Sequence, residues 1–166
     1  MSESYDVPTP GRFTVGALGE PGRRVFYFQV FGEGVEVSVK CEKQQAQALA
    51  DHLVGLLDRL PGGPPPPQPP AEALPPTELE WIVGSISLGI DEDRGRLVVV
   101  LEELLDPEDA EDLADLDPAE LRVSLDAAQV QALAAQVEAL AAGSRPLCRL
   151  CERPMDPSGH ACPRLN

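Results

Sequence analysis

Three cysteines and one histidine near the C-terminus have the residue types and the spacing of a metal site. They form the pattern Cys148-x2-Cys151-x8-His160-x-Cys162. A Cys-x2-Cys pair can turn two thiolates toward one ion, and side chains two residues apart on an extended segment point the same way. Three sulfurs and one nitrogen suit tetrahedral zinc. The sequence therefore predicts a zinc ion held by these four residues.

We expect this zinc ion to have a structural role. Four protein ligands leave no open coordination position for water or substrate. The segment after residue 142 has few apolar side chains, so metal binding would have to supply its folding energy. Free thiols in an unfolded tail, or a disulfide, are the alternatives that the residues leave open.

No other motif indicates chemistry. The chain has no Gly-rich phosphate loop, no nucleophile elbow and no HExxH motif, so we predict no catalytic residue and no cofactor-binding residue besides the metal ligands. Cys41 is interpreted as a small buried hydrophobe at a strand end. His52 is interpreted as an ordinary surface or core histidine of a helix. The sequence thus favours a protein that is not an enzyme.

The charge of the chain limits its partners. Of the 166 residues 43% are hydrophobic, and the formal net charge is -15. Such an acidic protein repels phosphate, which disfavours nucleic acid and anionic membranes. No apolar run has the length of a membrane span, and the first residues lack the features of a secretory signal. We therefore expect a cytoplasmic protein with reduced cysteines.

A proline-rich segment divides the chain into two halves. Nine of the 16 residues at positions 61–76 are proline. Because proline donates no amide hydrogen bond and has a fixed φ, this segment cannot be helix interior or central strand. We predict a semi-rigid, extended linker. A polyproline-type ligand for a partner's groove is the alternative interpretation.

The two halves resemble each other. With an offset of 84, residues 37–57 align with residues 121–141 without a gap, and seven of the 21 positions are identical. Offsets of 68 and 72 align Phe13 with Trp81 and Phe26 with Val98. We interpret this as an internal repeat whose copies cannot bury their apolar faces alone. Chance similarity between two alanine-rich helices is the alternative.

The predicted elements fit a repeated β-β-β-α unit. β-branched and aromatic residues predict strands at 12–18, 24–31 and 34–41, and again at 80–88, 95–102 and 119–125. Apolar periodicity predicts helices at 43–60 and 126–142. The predicted fold class is α+β, with two β-β-β-α repeats, antiparallel sheets, packed helices and a small C-terminal zinc-binding tail. The predicted boundaries are 1–60, 61–76 for the linker, 77–142, and 143–166 for the tail.

Two strand segments, 25–31 and 97–101, are apolar at successive positions. A half-solvated strand would alternate, so both faces of these strands should be covered. We expect the helix on one face, and the other repeat or another protomer on the second. A domain with pseudo-twofold symmetry or a homodimer follows from this expectation.

One insertion in the second half is strongly acidic. Residues 102–120 contain ten acidic residues and no basic residue. We predict a solvated loop, with contact to a cationic partner as the alternative. A calcium site is disfavoured because the segment has no glycine for the sharp turn that such a loop needs.

Several further motifs accompany the tail at 148–164 and the two repeat blocks: Asp6-x-Pro8, Arg12-Phe13-x2-Gly16 and the segment 81–84. Together they resemble an actinobacterial protein family of unknown function. The resemblance implies metal-ligand roles for Cys148, Cys151, His160 and Cys162. Arg149 and Glu152 depart from the family, which has proline and glycine at these positions. The resemblance implies no established reaction, although neighbouring genes of the family suggest phosphoryl metabolism.

Three functions therefore compete at this point. The first is a zinc-containing binding or adaptor protein with an unidentified protein partner. The second is an enzyme, or an enzyme accessory in phosphoryl metabolism, with a pocket between the repeats. The third is nucleic-acid binding through the arginines of the tail, which has no aromatic side chain to stack on a base. The sequence favours the first.

Overall fold

The structure is a computed structural model that describes residues 2–20, 22–109, 117–142, 148–153, 155 and 160–164. The described part contains seven strands and two α-helices. They are β1 (Tyr5–Val7), β2 (Arg12–Leu18), β3 (Val25–Gly32), β4 (Val35–Cys41), α1 (Lys43–Leu56), β5 (Val83–Asp91), β6 (Arg96–Glu103), β7 (Glu120–Leu125) and α2 (Ala127–Ala142). Short 3-10 helices cover Leu57–Arg59 and Pro107–Asp109.

The first sheet has the order β2-β3-β4, and all its strand pairs are antiparallel. Phe13 pairs with Val30, and Phe28 pairs with Val39. These side chains alternate with polar ones and point to the core. The free edge of β4 pairs with the segment before β5, because Lys40 N donates to the Trp81 carbonyl at 2.8 Å.

The second sheet has the order β1-β7-β6-β5. Strands β5, β6 and β7 form an antiparallel meander, and β1 pairs in parallel with β7, Tyr5 lying opposite Leu121. The N-terminal strand therefore belongs to the sheet of the second half. A three-residue strand carries too little periodicity for the sequence to indicate it.

The predicted fold class is confirmed. Strands β2, β3 and β4 followed by α1 have the same order and pairing as β5, β6 and β7 followed by α2. The offset of 84 carries β4 onto β7 and the start of α1 at Lys43 onto the start of α2 at Ala127. The origin of the two units in a duplication stays a prediction.

The two upstream offsets are wrong. Phe26 pairs with Cys41, and the pairing at the matching position of the second sheet is Leu97 with Leu125, so Phe26 corresponds to Leu97 and not to Val98. Every residue from Leu97 to Leu101 is apolar, which leaves no alternation to fix a register. Trp81 lies before β5, where the chain pairs with β4, and Phe13 corresponds instead to Ile86.

The third residue of each helix is a glutamine whose side chain reaches the other half. Gln45 Oε1 accepts from the Glu42 amide at 2.8 Å, and Gln129 Oε1 accepts from the Asp126 amide at 3.0 Å, which is the arrangement of a capping box. Gln45 Nε2 then donates to the Val83 carbonyl at 3.3 Å. Gln129 Nε2 donates to the Pro10 carbonyl at 2.7 Å. The starts of both helices thus connect the two halves.

One hydrophobic core serves both halves, because buried residues of both sheets and both helices form a single cluster. Helix α2 lies on β2, where Gln136 Nε2 donates to the Val15 carbonyl at 2.9 Å. Helix α1 packs against α2. Among the described residues, no helix is both long enough and apolar enough to span a membrane.

Part of the second face of β3 is covered by the chain's own residues 71–74, a segment that the sequence did not place there. A homodimer stays a prediction. Gln29 exchanges two hydrogen bonds with the backbone of Leu74, at 2.9 and 3.0 Å, and Tyr27 Oη donates to the Leu74 carbonyl at 2.8 Å. Thr14 Oγ1 donates to the Ala71 carbonyl. We call residues 71–74 the strap, since they lie across the sheet as part of the predicted linker.

Candidate metal centre

The four predicted ligands lie together. The ligand atoms of Cys148, Cys151, His160 and Cys162 are all within 4.8 Å of one another. The Sγ atoms of Cys148 and Cys162 are 3.9 Å apart, and Cys151 Sγ is 3.3 Å from His160 Nε2. Ideal tetrahedral zinc geometry places two sulfurs about 3.8 Å apart, and a sulfur and a nitrogen about 3.6 Å apart. These four atoms could therefore hold one metal ion.

A tight backbone turn positions the first two ligands. The Glu152 amide donates to the Cys148 carbonyl at 2.9 Å, and the Cys148 amide donates to the Arg153 carbonyl at 2.9 Å. These two bonds close the chain between Cys148 and Arg153 into a loop, which we call the knuckle. Glu152 has φ 58°, in the left-handed region that favours glycine. A glycine, which the family resemblance implies for this position, would adopt this backbone conformation without strain.

The thiols lie in a partly desolvated cluster. Cys148 and Cys162 are 7% exposed, and Cys151 and His160 are half-buried. The backbone amides of Cys151 and Leu150 hold the pKa of Cys148 below its usual value. At Cys162 the Arg164 amide acts to lower the pKa, but burial and the neighbouring thiols outweigh it, so the pKa is raised. A cation among these sulfurs would favour the thiolate form of each.

The donor set suits a closed structural site. Four protein atoms lie around one position, and two of the four residues are buried, which is typical of structural rather than catalytic metal sites. Among the described residues, no other group of three or more cysteine, histidine or acidic side chains converges in this way. Residues 110–116 of the predicted acidic loop lie outside the described residues.

The other two residues considered from the sequence lie apart from the cluster. Cys41 is 4% exposed at the end of β4, and its burial, with the nearby Glu42 carboxylate, raises its pKa to about 12. The burial of Cys41 agrees with its interpretation as a small buried hydrophobe at a strand end. His52 is exposed on α1, with Nδ1 2.6 Å from the Ala48 carbonyl.

A groove of about 540 Å³ lies between α1 and α2. We call it the helix groove. Its described lining consists of Gln47, Ala50, Asp51, Val54, Ala134, Val137, Glu138 and Ala141. These side chains include no cysteine, serine or histidine that a carboxylate could activate. Sequence reasoning missed the groove, although the alanines at equivalent positions of the two helices were a signal that the helices approach closely there.

The comparisons with known proteins place the chain in a family but give it no activity. A family model described as "Protein of unknown function (DUF3090)" matches residues 5–162, which include both β-β-β-α units and all four ligands. No curated protein matches the chain. No solved structure matches it either.

Proposed function

Because the chain belongs to the DUF3090 family of proteins of unknown function, we propose its function from its own geometry. It is a non-catalytic binding or adaptor protein, and its tail is folded around one structural zinc ion. The observation that carries the proposal is the convergence of Cys148, Cys151, His160 and Cys162 within 4.8 Å. Three sulfurs with one imidazole select zinc over magnesium or calcium, which prefer oxygen ligands.

The structural role follows from what surrounds the cluster. The described tail residues form no helix or strand, and their ordered contacts are the knuckle hydrogen bonds and the cluster itself. A segment of this kind has too little apolar surface to fold alone, so the ion would supply the folding free energy. The bound ion would then hold the exposed side chains of the knuckle in a fixed arrangement.

The binding role is supported by exposed groups around the knuckle. Arg149, Leu150 and Arg153 are exposed, and Leu150 is 45% accessible although it is apolar. An exposed leucine near two exposed arginines suits contact with an acidic protein surface, because arginine is enriched at interfaces and opposite charges complement each other. A cytoplasmic location is part of the proposal, because reduced thiols persist there.

The test is the metal content of the full chain purified without chelator. We expect one zinc per chain, and loss of that zinc in Cys148→Ser and in Cys162→Ser. The control is Cys41→Ala, which removes a cysteine outside the cluster and should keep the zinc. Far-UV circular dichroism should show intact helices in all variants. Substoichiometric metal in the wild type, or full zinc in Cys148→Ser, would overturn the proposal.

A further inference from the structure

We infer that the helix groove binds the knuckle of a second copy of this chain, so that two copies associate by exchanging their C-terminal tails. The inference rests on the proposed function, because the knuckle is presented by the metal cluster. It identifies a partner class for the binding role, namely the protein itself. It also assigns a role to the helix groove, which the metal centre does not use.

The helix groove has the properties of a site for an apolar group between cations. Its floor consists of small and branched apolar side chains, and Val54 at its edge is 41% exposed. The charged residues of its lining are Asp51 and Glu138, one from each helix, and both are exposed. Apolar surface with two flanking carboxylates favours an occupant with the reverse arrangement.

The knuckle has that reverse arrangement. Leu150 protrudes at its turn, with Arg149 beside it and Arg153 at its closing end, and all three are exposed. The segment 143–166 carries four arginines against two acidic residues, whereas the chain as a whole has a net charge of -15. The knuckle is therefore a basic surface on an acidic protein, and an acidic groove of the same protein complements it.

The occupant is a second copy because the chain's own knuckle does not lie in its own helix groove. Every described residue that lines the groove belongs to α1 or α2. Each copy offers one groove and one knuckle, so two copies related by a twofold axis satisfy both contacts at once and leave none open. Two arginine–carboxylate contacts at each groove would also offset part of the repulsion between two acidic bodies.

The experiment reverses the charges of one contact surface at a time, either the knuckle or the helix groove. Sedimentation velocity on the full chain, over a range of concentrations, should show a monomer–dimer equilibrium. Arg149→Glu with Arg153→Glu should weaken dimerisation by about tenfold or more, and so should Asp51→Lys with Glu138→Lys. The control Glu20→Lys with Asp58→Lys changes two exposed acids outside the groove and should leave the dimer unchanged.

Mixing the two charge-reversed proteins provides the decisive arm. The lysine-bearing groove of one then faces the glutamate-bearing knuckle of the other, and the second contact pairs the native groove with the native knuckle. We expect a heterodimer where each variant alone is monomeric. Failure of the mixture to associate, a wild-type monomer at all concentrations, or dimers that survive both reversals would overturn the inference.

Zinc measured on the same samples separates this inference from the proposed function. If every variant retains one zinc and the wild type is monomeric, the tail exchange is wrong and the structural metal site stands. If the wild type has no zinc, the proposed function fails, and a dimer that then survives the knuckle reversal overturns the inference as well. A dimer that dissociates when zinc is chelated supports both.

Discussion

Glu152 shows how one backbone conformation affects the metal centre. Its φ of 58° lies where a β-carbon crowds the backbone, at a cost of roughly 1 kcal/mol for a residue other than glycine. The two hydrogen bonds that close the knuckle fix this conformation, since they join Cys148 to both Glu152 and Arg153. The knuckle therefore folds against a local strain, which binding of the proposed ion would offset.

Replacing Glu152 with glycine should tighten zinc binding. Removing the strain of about 1 kcal/mol corresponds to an affinity about fivefold higher, measured by competition with a chromogenic chelator. Glu152→Ala is the matched control, because it removes the same carboxylate but keeps the β-carbon. If the alanine variant gains as much affinity as the glycine variant, the effect comes from charge and the explanation from backbone strain is wrong.

At the residue scale, sequence reasoning located the cluster but not its surroundings. The spacing of Cys148, Cys151, His160 and Cys162 was sufficient because only a few backbone shapes can join such close ligands around one ion. The strained conformation at Glu152 had a signal as well, in the glycine that the family resemblance implies there. The register of β6 had none, since the run Leu97 to Leu101 places an apolar side chain on each face.

At the scale of elements, hydrophobic periodicity could not predict that the strap lies across the first sheet. Prolines predict that a segment is extended, but they do not say what it lies on. Here a buried side-chain amide fixes the position of the strap. Gln29 is fully buried, and its amide nitrogen and oxygen both form hydrogen bonds with the backbone of Leu74. A buried glutamine in an otherwise apolar strand was the available signal, since such a group needs partners.

Gln29→Ala should release the strap and destabilise the protein. The Leu74 amide would lose its acceptor, and leaving partly buried polar groups unsatisfied costs about 1–3 kcal/mol in free energy of unfolding. Urea titration measures the loss, and hydrogen exchange at the Leu74 amide should become faster.

Gln68→Ala is the control for the strap, because within the described residues the Gln68 side chain donates to a neighbouring backbone group, the Pro66 carbonyl. It should leave both the stability and the exchange of Leu74 unchanged. Equal protection of the Leu74 amide in Gln29→Ala and in the wild type would show that Gln29 does not hold the strap.

At the scale of the whole molecule, the predicted halves are connected in both directions. Strand β1 of the first half completes the second sheet, and helix α2 of the second half covers β2 of the first. At the starts of the helices, the two capping glutamines, Gln45 and Gln129, each donate a hydrogen bond to the backbone of the other half. The repeat pattern predicted two units, but it could not show that their elements are exchanged, because periodicity within one segment does not identify its neighbours.

This exchange predicts that neither half folds alone. Fragments 1–60 and 77–142 each lose part of the cover of a shared core, so each should lack a cooperative unfolding transition. The intact chain should unfold in one transition. A protease site can be placed within 64–67, before the strap, because most residues there are exposed. Cleavage at this site should leave the two pieces associated through the shared core. Circular dichroism and size-exclusion chromatography of the cut protein measure this, and a fragment that unfolds cooperatively by itself would contradict the shared core.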